Sequence, residues 1–451
     1  MTGSEQRREK VLILGAAGRD FHNFKTVYKN DKTTEVVAFT ANQIPGIDDR
    51  RYPPELSGPL YPDGIPICPE SELEDLVKKH SVDRCDLSYS DLSEHAVMEI
   101  MCRVLCAKAD FSTLCPQRTL LRSKKPVVAV TAVRTGSGKS QVSKYVINVL
   151  KEHGLKTVLV RHPMPYGNLA KQAVQRFGSY EDLEKNNVTI EEREEYEQHI
   201  SAGVIVYAGV DYEAILRRAD EEADVVIWDG GNNDMPFYKP QPGLWICVAD
   251  PHRLGHESTY FPGNVNLKCA DVIVINKANT APKEAVEKLQ EAARTRNGRA
   301  TVVVTDSTVT VEDPKLIEGK KVVLVDDGPT LTHGGMAYGA GKYAAEQHDA
   351  NVVDPKPHFV GSLKDTLQNY PHIGSTIPAM GYSPEQVKDL SETIAKSDAD
   401  AVIVATPMDL NKLIHIKKPS TKVKYVITDR SEGPKLRDAI TKFVESDVKK
   451  S

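Results

Sequence analysis

Short apolar runs, bounded by glycine, proline or acidic residues, alternate with amphipathic stretches along nearly the whole chain. Runs such as KVLILGAAG (10–18), TEVVAFTA (34–41), CDLSYSD (85–91) and KPVVAVTA (125–132) are short and read as strands. KTVLVRHPMPYG (156–167), ADVVIWDGGNND (223–234), GLWICVADPHRLGHE (243–257) and ADVIVINKANTAP (270–282) behave in the same way. Between them, apolar residues recur every three or four positions. ESELEDLVKKH (70–80) predicts a capped amphipathic helix, KSQVSKYVINVLKEHG (139–154) a second helix and VTIEEREEYEQHISAG (188–203) an acidic one. Strand and helix in alternation is the pattern of parallel sheets with crossover helices, so the expected fold class is α/β.

The chain divides into three portions. Residues 1–124 read as a Rossmann-like N-terminal domain, and residues 125–319 as a P-loop nucleotide-binding domain built on a parallel sheet. Residues 320–451 read as a C-terminal α/β portion, with strands in ADAVIVATP (400–407) and TKVKYVIT (421–428), that completes the substrate site. The stretch NQIPGIDDRRYPPELSGPLYPDGIPICP (42–69) carries too many prolines for any regular element and predicts a long functional loop.

Composition narrows the class only a little. The 451 residues carry a net charge of -5 and no strongly basic arm, which argues against a nucleic-acid partner. No apolar run reaches the roughly 18 residues of a membrane span, and the N-terminus lacks a secretory pattern. A cytoplasmic protein without a membrane partner is expected. Its seven cysteines include no CxxC pair, so neither zinc nor a disulfide framework is indicated, and Cys102 and Cys106 are expected as packed thiols.

The chemistry begins at VTAVRTGSGKSQVSKYV (130–146). A P-loop wraps backbone N–H groups around phosphates at a helix N-terminus, while its lysine reaches the β/γ-phosphates and its Ser/Thr ligates Mg²⁺. Gly136, Ser137, Gly138, Lys139 and Ser140 supply those parts, although Val133 stands where the usual pattern has its first glycine. Asp229, at the end of an apolar run, suits the carboxylate that holds Mg²⁺ together with Ser140. Asn276 and Lys277 occupy the place of a guanine-reading NKxD motif, but Asn279 replaces its aspartate, so ATP is expected, with GTP the alternative.

Other strand ends carry groups that a simple switch does not need. Arg161 and His162 follow one strand, His252 and Arg253 another, and Asn264 lies in FPGNVN (261–266). DDGPTLTHGGMAYGAG (326–341) adds His333, Gly334 and Gly335, with enough glycine for backbone amides to approach an anion. Together these predict a small, highly anionic substrate beside the γ-phosphate, with Arg161, His252 and Arg253 as the neutralising cations. Near the N-terminus, Arg19, His22 and Asn23 either bind an anion or cap the first helix.

The set TGSGKS, RHPMPYG, VIWDGGNND, ADPHR, VINKAN and DDGPTLTHGGMAYGAG resembles the cyclic 2,3-diphosphoglycerate synthetases and the P-loop GTPases grouped with them. The run from the P-loop through LKTVLVRH is also similar to dethiobiotin synthetase and its relatives, which are commonly homodimeric. The resemblance implies an ATP-dependent ligase that closes 2,3-diphosphoglycerate into a ring, releasing ADP and phosphate. Lys139, Asp229, Arg161 and Arg253 would then act catalytically. The alternative is a P-loop GTPase of regulatory or metallochaperone type.

Overall fold

Runs of buried β-branched residues too short for a stable helix become strands, and two large sheets collect most of them. The computed structural model describes residues 7–42, 50–163, 167–231, 233–380, 384–406 and 410–449. The first sheet contains β1 (Glu9–Leu14), β2 (Thr34–Ala41), β3 (Arg50–Tyr52), β4 (Ile65–Pro69), β5 (Arg84–Leu87) and, beyond the two-residue strand β6 (Leu92–Ser93), β7 (Asp110–Ser112). Its order is β3-β4-β2-β1-β5-β7, parallel except for β3.

The proline-rich stretch expected as a loop therefore contributes two strands and a short helix, Pro54–Ser57. Both strands lie at or next to the sheet's margin, where a proline's missing N–H costs least. Residues 43–49 of that stretch lie outside the described residues. The helix expected at 70–80 forms as a 3-10 turn, Glu70–Glu72, running into Leu73–His80, without a side-chain cap.

The second sheet begins at β8 (Val127–Ala132), β9 (Thr157–Arg161), β10 (Gln175–Phe177), β11 (Ile205–Ala208), β12 (Val225–Trp228) and β13 (Gly243–Ala249). The small β14 (Tyr260–Phe261) pairs only with β6, tying the first portion to the second. Then come β15 (Val272–Ile275), β16 (Thr301–Val311), β17 (Lys321–Asp327), β18 (Asn351–Val352), β19 (Ile377–Ala379), β20 (Ala401–Ala405) and β21 (Ser420–Asp429). The order is β10-β11-β9-β12-β8-β13-β15-β16-β21-β20-β17-β18, with β19 also paired to β17. Pairing is parallel except for β10–β11 and β16–β21. The antiparallel β16–β21 pair carries one continuous sheet from the P-loop strands into the C-terminal strands.

Every residue of β8 is buried, because helices cover both faces of the parallel sheet. On one face Val128 and Val130 meet Val142, Val146 and Leu150 of the helix Lys139–Glu152, and Leu436 and Ile440 of the C-terminal helix join them. On the other, Val127 and Ala129 pack with Trp228, Phe237 and Leu289. Cys102 and Cys106 are exposed, contrary to expectation, because the helix Glu94–Cys106 buries its Ile100 and Val104 stripe instead.

Arg19, His22 and Asn23 lie buried in the first helix, which has no side-chain cap, so capping is not their role. Arg19 pairs with Asp234 and donates to the Met235 carbonyl at 2.6 Å. The His22 ring stacks on Phe237 at 4.1 Å and its Nε2 bonds the Thr119 carbonyl, while Asn23 donates to Ser88 at 2.9 Å. Arg19 and the His22 ring seat the N-terminal portion on the nucleotide-binding portion, while Asn23 braces the N-terminal portion itself.

Burial, aided by Arg19, pushes the His22 pKa from 6.5 down to about 3, so the folded chain keeps this ring neutral where the unfolded chain protonates it. The stability it contributes is complete above pH 6.5 and is lost as pH falls toward 3. His22→Gln is expected to make the fall of Tm with acidification shallower across that window. An unchanged slope, read by thermal melts at stepped pH, would contradict this assignment.

Candidate active site

Because β8, β9, β12, β13 and β15 run parallel, the loops after them open along the same side of the sheet. The phosphate loop is the central one. Gly136 and Gly138 hold φ of 82° and 103°, left-handed values that suit glycine. A Cβ on Gly138 would come 2.2 Å from the Asn276 amide nitrogen. The helix Lys139–Glu152 starts at this turn without a side-chain cap, leaving its first amides to an anion. Val133 is tolerated because its N–H extends the ladder to the Val248 carbonyl at 2.8 Å. Gly263 supplies the close approach instead, since its Cβ would lie 2.1 Å from the Val133 oxygen.

At the loop's end, Lys139 donates to the Asp229 carboxylate and to the Gly230 carbonyl. Arg161 meets the other Asp229 oxygen at 2.7 Å and turns its remaining edge to Glu195. Burial alone would raise the Asp229 carboxyl, but Arg161 and Lys139 more than reverse that and hold it well below the usual range. Burial lowers the Lys139 ammonium despite its partner. Two cations thus share one fully buried carboxylate, and an incoming polyphosphate would compete with it and with the Gly230 carbonyl for Lys139. The cradle, the lysine and the buried Asp229 carboxylate fit a nucleotide with a divalent cation.

On the far side of the loop, Lys277 donates to Asp250 at 2.8 Å and to the Gly136 carbonyl at 2.6 Å. Asn276 donates to the Ser137 carbonyl at 3.3 Å and accepts from Thr305 at 3.1 Å. Asn279 pairs both of its polar groups with the Ser307 backbone, at 2.8 and 3.1 Å. Residues expected to read a base therefore brace the phosphate loop and β16 here.

The expected cations are redistributed. The His252 ring bonds Thr280 at 2.8 Å, and partial burial pushes its pKa down. Burial lowers the His162 pKa too; this ring sits between Tyr212 and Asp234. Met164, Pro165 and Tyr166 of RHPMPYG lie outside the described residues. Asn264 donates to Glu94 at 2.8 Å, a link between portions and not a ligand to the loop. Arg253 does reach the phosphate loop, donating to the Thr135 carbonyl at 2.6 Å and to that of Gly334 at 3.0 Å.

The glycine-rich stretch approaches an anion that belongs to the chain. Buried Asp326 accepts from the N–H groups of Gly339 and Gly341, at 3.2 and 2.8 Å, and from Thr376 at 2.8 Å. A Cβ on Gly339 would come 2.5 Å from its carboxylate. His333 and Gly334 instead offer backbone carbonyls, to Arg134 at 3.1 Å and to Arg253. Gly335, at φ 66°, completes the turn.

Arg134 joins these groups without having been expected from the sequence, although it lies inside the phosphate loop, where a charged residue between small ones was the available signal. It pairs with Asp91 at 3.0 Å and lies 3.8 Å over the Tyr260 ring. Asp91 and Tyr260 are distant in sequence and left no local pattern. Among the described residues, no cluster of His, Cys, Asp and Glu suits a structural metal ion.

No family model matches the chain. It is 52% identical over 444 residues to the arginine synthetase ArcE of Thermococcus kodakarensis, a match covering 98% of each protein. Among solved structures it is similar to LpxK from Aquifex aeolicus in complex with ATP, with a TM-score of 0.44, 12% identity and coverage of 83% of this chain and 98% of that one. It is also similar to cobyrinic acid a,c-diamide synthase from Mycobacterium smegmatis, with a TM-score of 0.17, 17% identity and coverage of 40% and 72%. Structural likenesses at those scores bear on neither substrate nor reaction.

If the glycines of 339–341 serve Asp326, replacing that carboxylate should be felt in stability. Asp326→Asn is expected to cost about 1–3 kcal/mol, because its NH₂ would face N–H donors. Urea denaturation reads the loss, and a variant as stable as the parent would contradict the assignment.

Proposed function

This chain belongs to the family of the arginine synthetase ArcE, and from that premise we propose that it is an ATP-dependent synthetase that forms a C–N bond of arginine's guanidinium group. The observation that carries this reading is the Gly136–Ser140 cradle set directly against the buried Lys139–Asp229–Arg161 cluster. A cradle of this kind serves phosphoryl transfer, which depends on positioning and charge neutralisation.

A guanidinium differs from a urea in carrying nitrogen where the urea has oxygen, and that oxygen is a poor leaving group until it is phosphorylated. The matching precursor is the ureido analogue of arginine, citrulline. Its ureido oxygen attacks the γ-phosphorus, a P–O bond forms and the P–O bond to ADP breaks. Ammonia then adds to the activated carbon and phosphate departs with the oxygen. Arginine, ADP and phosphate result, with no change of oxidation state.

Lys139 would hold the γ-phosphate through this transfer, and Arg161 would keep Asp229 ionised and oriented. Mg²⁺, held by Ser140 and Asp229, would supply neutralisation of the phosphate charge. The engagement of Asn279 with Ser307 supports ATP over GTP, because it removes the side chain a guanine reader needs. The strand order β4-β2-β1-β5-β7 supports a Rossmann-like reading of the N-terminal portion. Closure of 2,3-diphosphoglycerate into its cyclic form is the second reading, favoured by the three guanidinium groups of Arg134, Arg161 and Arg253 around the loop.

One assay separates the two. The protein is incubated with Mg²⁺ and ATP, with either citrulline plus ammonium or 2,3-diphosphoglycerate, and followed by phosphorus NMR and amino-acid analysis. Arginine formed in step with phosphate supports the synthetase reading, and Lys139→Ala is expected to lower that rate at least about 100-fold. A new phosphoanhydride signal without arginine would move the assignment to the cyclic product.

A further inference from the structure

The seam between the N-terminal and nucleotide-binding portions is not packed throughout. Beside the stack of His22 on Phe237 it leaves a cavity of about 250 Å³, room for several waters or one small organic molecule. Three stretches of chain wall it. The helical turn Phe24–Tyr28 supplies Lys25 and Thr26, and residues near the end of the N-terminal portion supply Arg118, Leu120 and Leu121. The helix Tyr212–Glu222 supplies Glu213. None of the lining residues belongs to the phosphate loop.

The charges around this space are unequally committed. Lys25 is paired across the seam with Asp211, which caps the helix Tyr212–Glu222. Glu213 is exposed and pairs with Arg217 one turn along the same helix, a contact that solvent screens and a competing cation readily replaces. Arg118 is exposed too, and among the described residues its guanidinium makes no ion pair. A guanidinium is matched best by a carboxylate or phosphate, which it can meet with two parallel N–H donors. A simple anion would answer Arg118 but would be repelled by Glu213, and an apolar molecule would leave both charges unanswered. A molecule with a carboxylate at one end, a cation at the other and methylenes between answers all of these groups, with Leu120 and Leu121 beside its chain.

The cavity also abuts the support of the catalytic carboxylate without reaching it. Leu121 donates its N–H to the Phe237 carbonyl at 2.7 Å, and the Phe237 ring lies 4.5 Å from that of Trp228, the residue before Asp229. An occupant touching both portions would favour their docked arrangement, holding the seam closed from behind the nucleotide site. We propose that this cavity is a second ligand site, separate from the phosphate loop, for a basic amino acid. Arg118, helped by Lys25, takes the carboxylate, and Glu213 takes the side-chain cation. Arginine is the member of that class which the chain would meet at its own active site. Naming it rests on the arginine-forming reading, whereas the charge pattern does not.

The test is calorimetric titration of the full-length protein with L-arginine, with agmatine, which lacks the carboxylate, and with citrulline, whose side chain carries no charge. Arg118→Ala and Glu213→Gln are each expected to weaken one arginine site by about tenfold, the scale of one lost charged contact, while kcat and the KM for ATP hold. Agmatine should bind Arg118→Ala as it binds the parent, and citrulline should be equally indifferent to Glu213→Gln. Arginine affinities that both variants share with the parent overturn the proposal. So does a loss of binding accompanied by an equal loss of kcat, which would place the arginine at the catalytic site, and so does a parent that binds no arginine. A protein that binds arginine through Arg118 and Glu213 yet forms none contradicts the arginine-forming reading alone. One that forms arginine while both variants bind it normally contradicts only this proposal.

Discussion

A single carboxylate shared by two buried cations organises the nucleotide end of this molecule. Asp229 can remain ionised without solvent only because Arg161 and Lys139 reach it from the ends of neighbouring parallel elements. The order β9-β12-β8 places the three side chains together, so the chemistry is a consequence of strand order. Removing either cation leaves the carboxylate with the other as its partner, so the cost of its burial is then only partly offset. A bound phosphate would compete with Asp229 for Lys139, leaving Arg161 to hold the carboxylate.

The rest of the site is assembled by long-range closure. The β16–β21 pair joins the nucleotide strands to the C-terminal ones, bringing the His333–Gly335 turn onto Arg134 and Arg253. From the other side Asp91 reaches Arg134, and the β6–β14 pair locks that approach. Arginines in a phosphate loop repel cations and each other. Here Arg134 and Arg253 are steadied by backbone carbonyls and one carboxylate, which orient them.

Local pattern revealed local chemistry well. The strand–turn–helix around Gly136–Lys139 and the buried run ending at Asp229 were readable because neighbouring residues specify them. Partners set by tertiary contacts were not. The glycines after Asp326 looked like an anion site and are one, but the anion is Asp326 itself, which no spacing rule could show. His252 was expected as a cation because it follows a strand end, whereas its bond to Thr280 and its partial burial are set by tertiary contacts. The proline-rich segment looked irregular because proline is excluded from sheet interiors, yet β4 accommodates Pro66 and Pro69 while the edge strand β3 carries none. Arg134 is masked in the sequence by the glycines around it, whose pattern is the stronger one, and its partner Asp91 comes from another portion of the chain.

The central claim is that the γ-phosphoryl group is transferred to an oxygen of the precursor and leaves with it. The most direct measurement uses citrulline labelled with ¹⁸O at the ureido oxygen, with ATP, Mg²⁺ and ammonium, and mass analysis of the phosphate released. The account predicts that each phosphate formed with arginine carries one labelled oxygen. Unlabelled phosphate accompanying arginine would show that ATP cleavage and C–N bond formation are joined in some other way, and would contradict it.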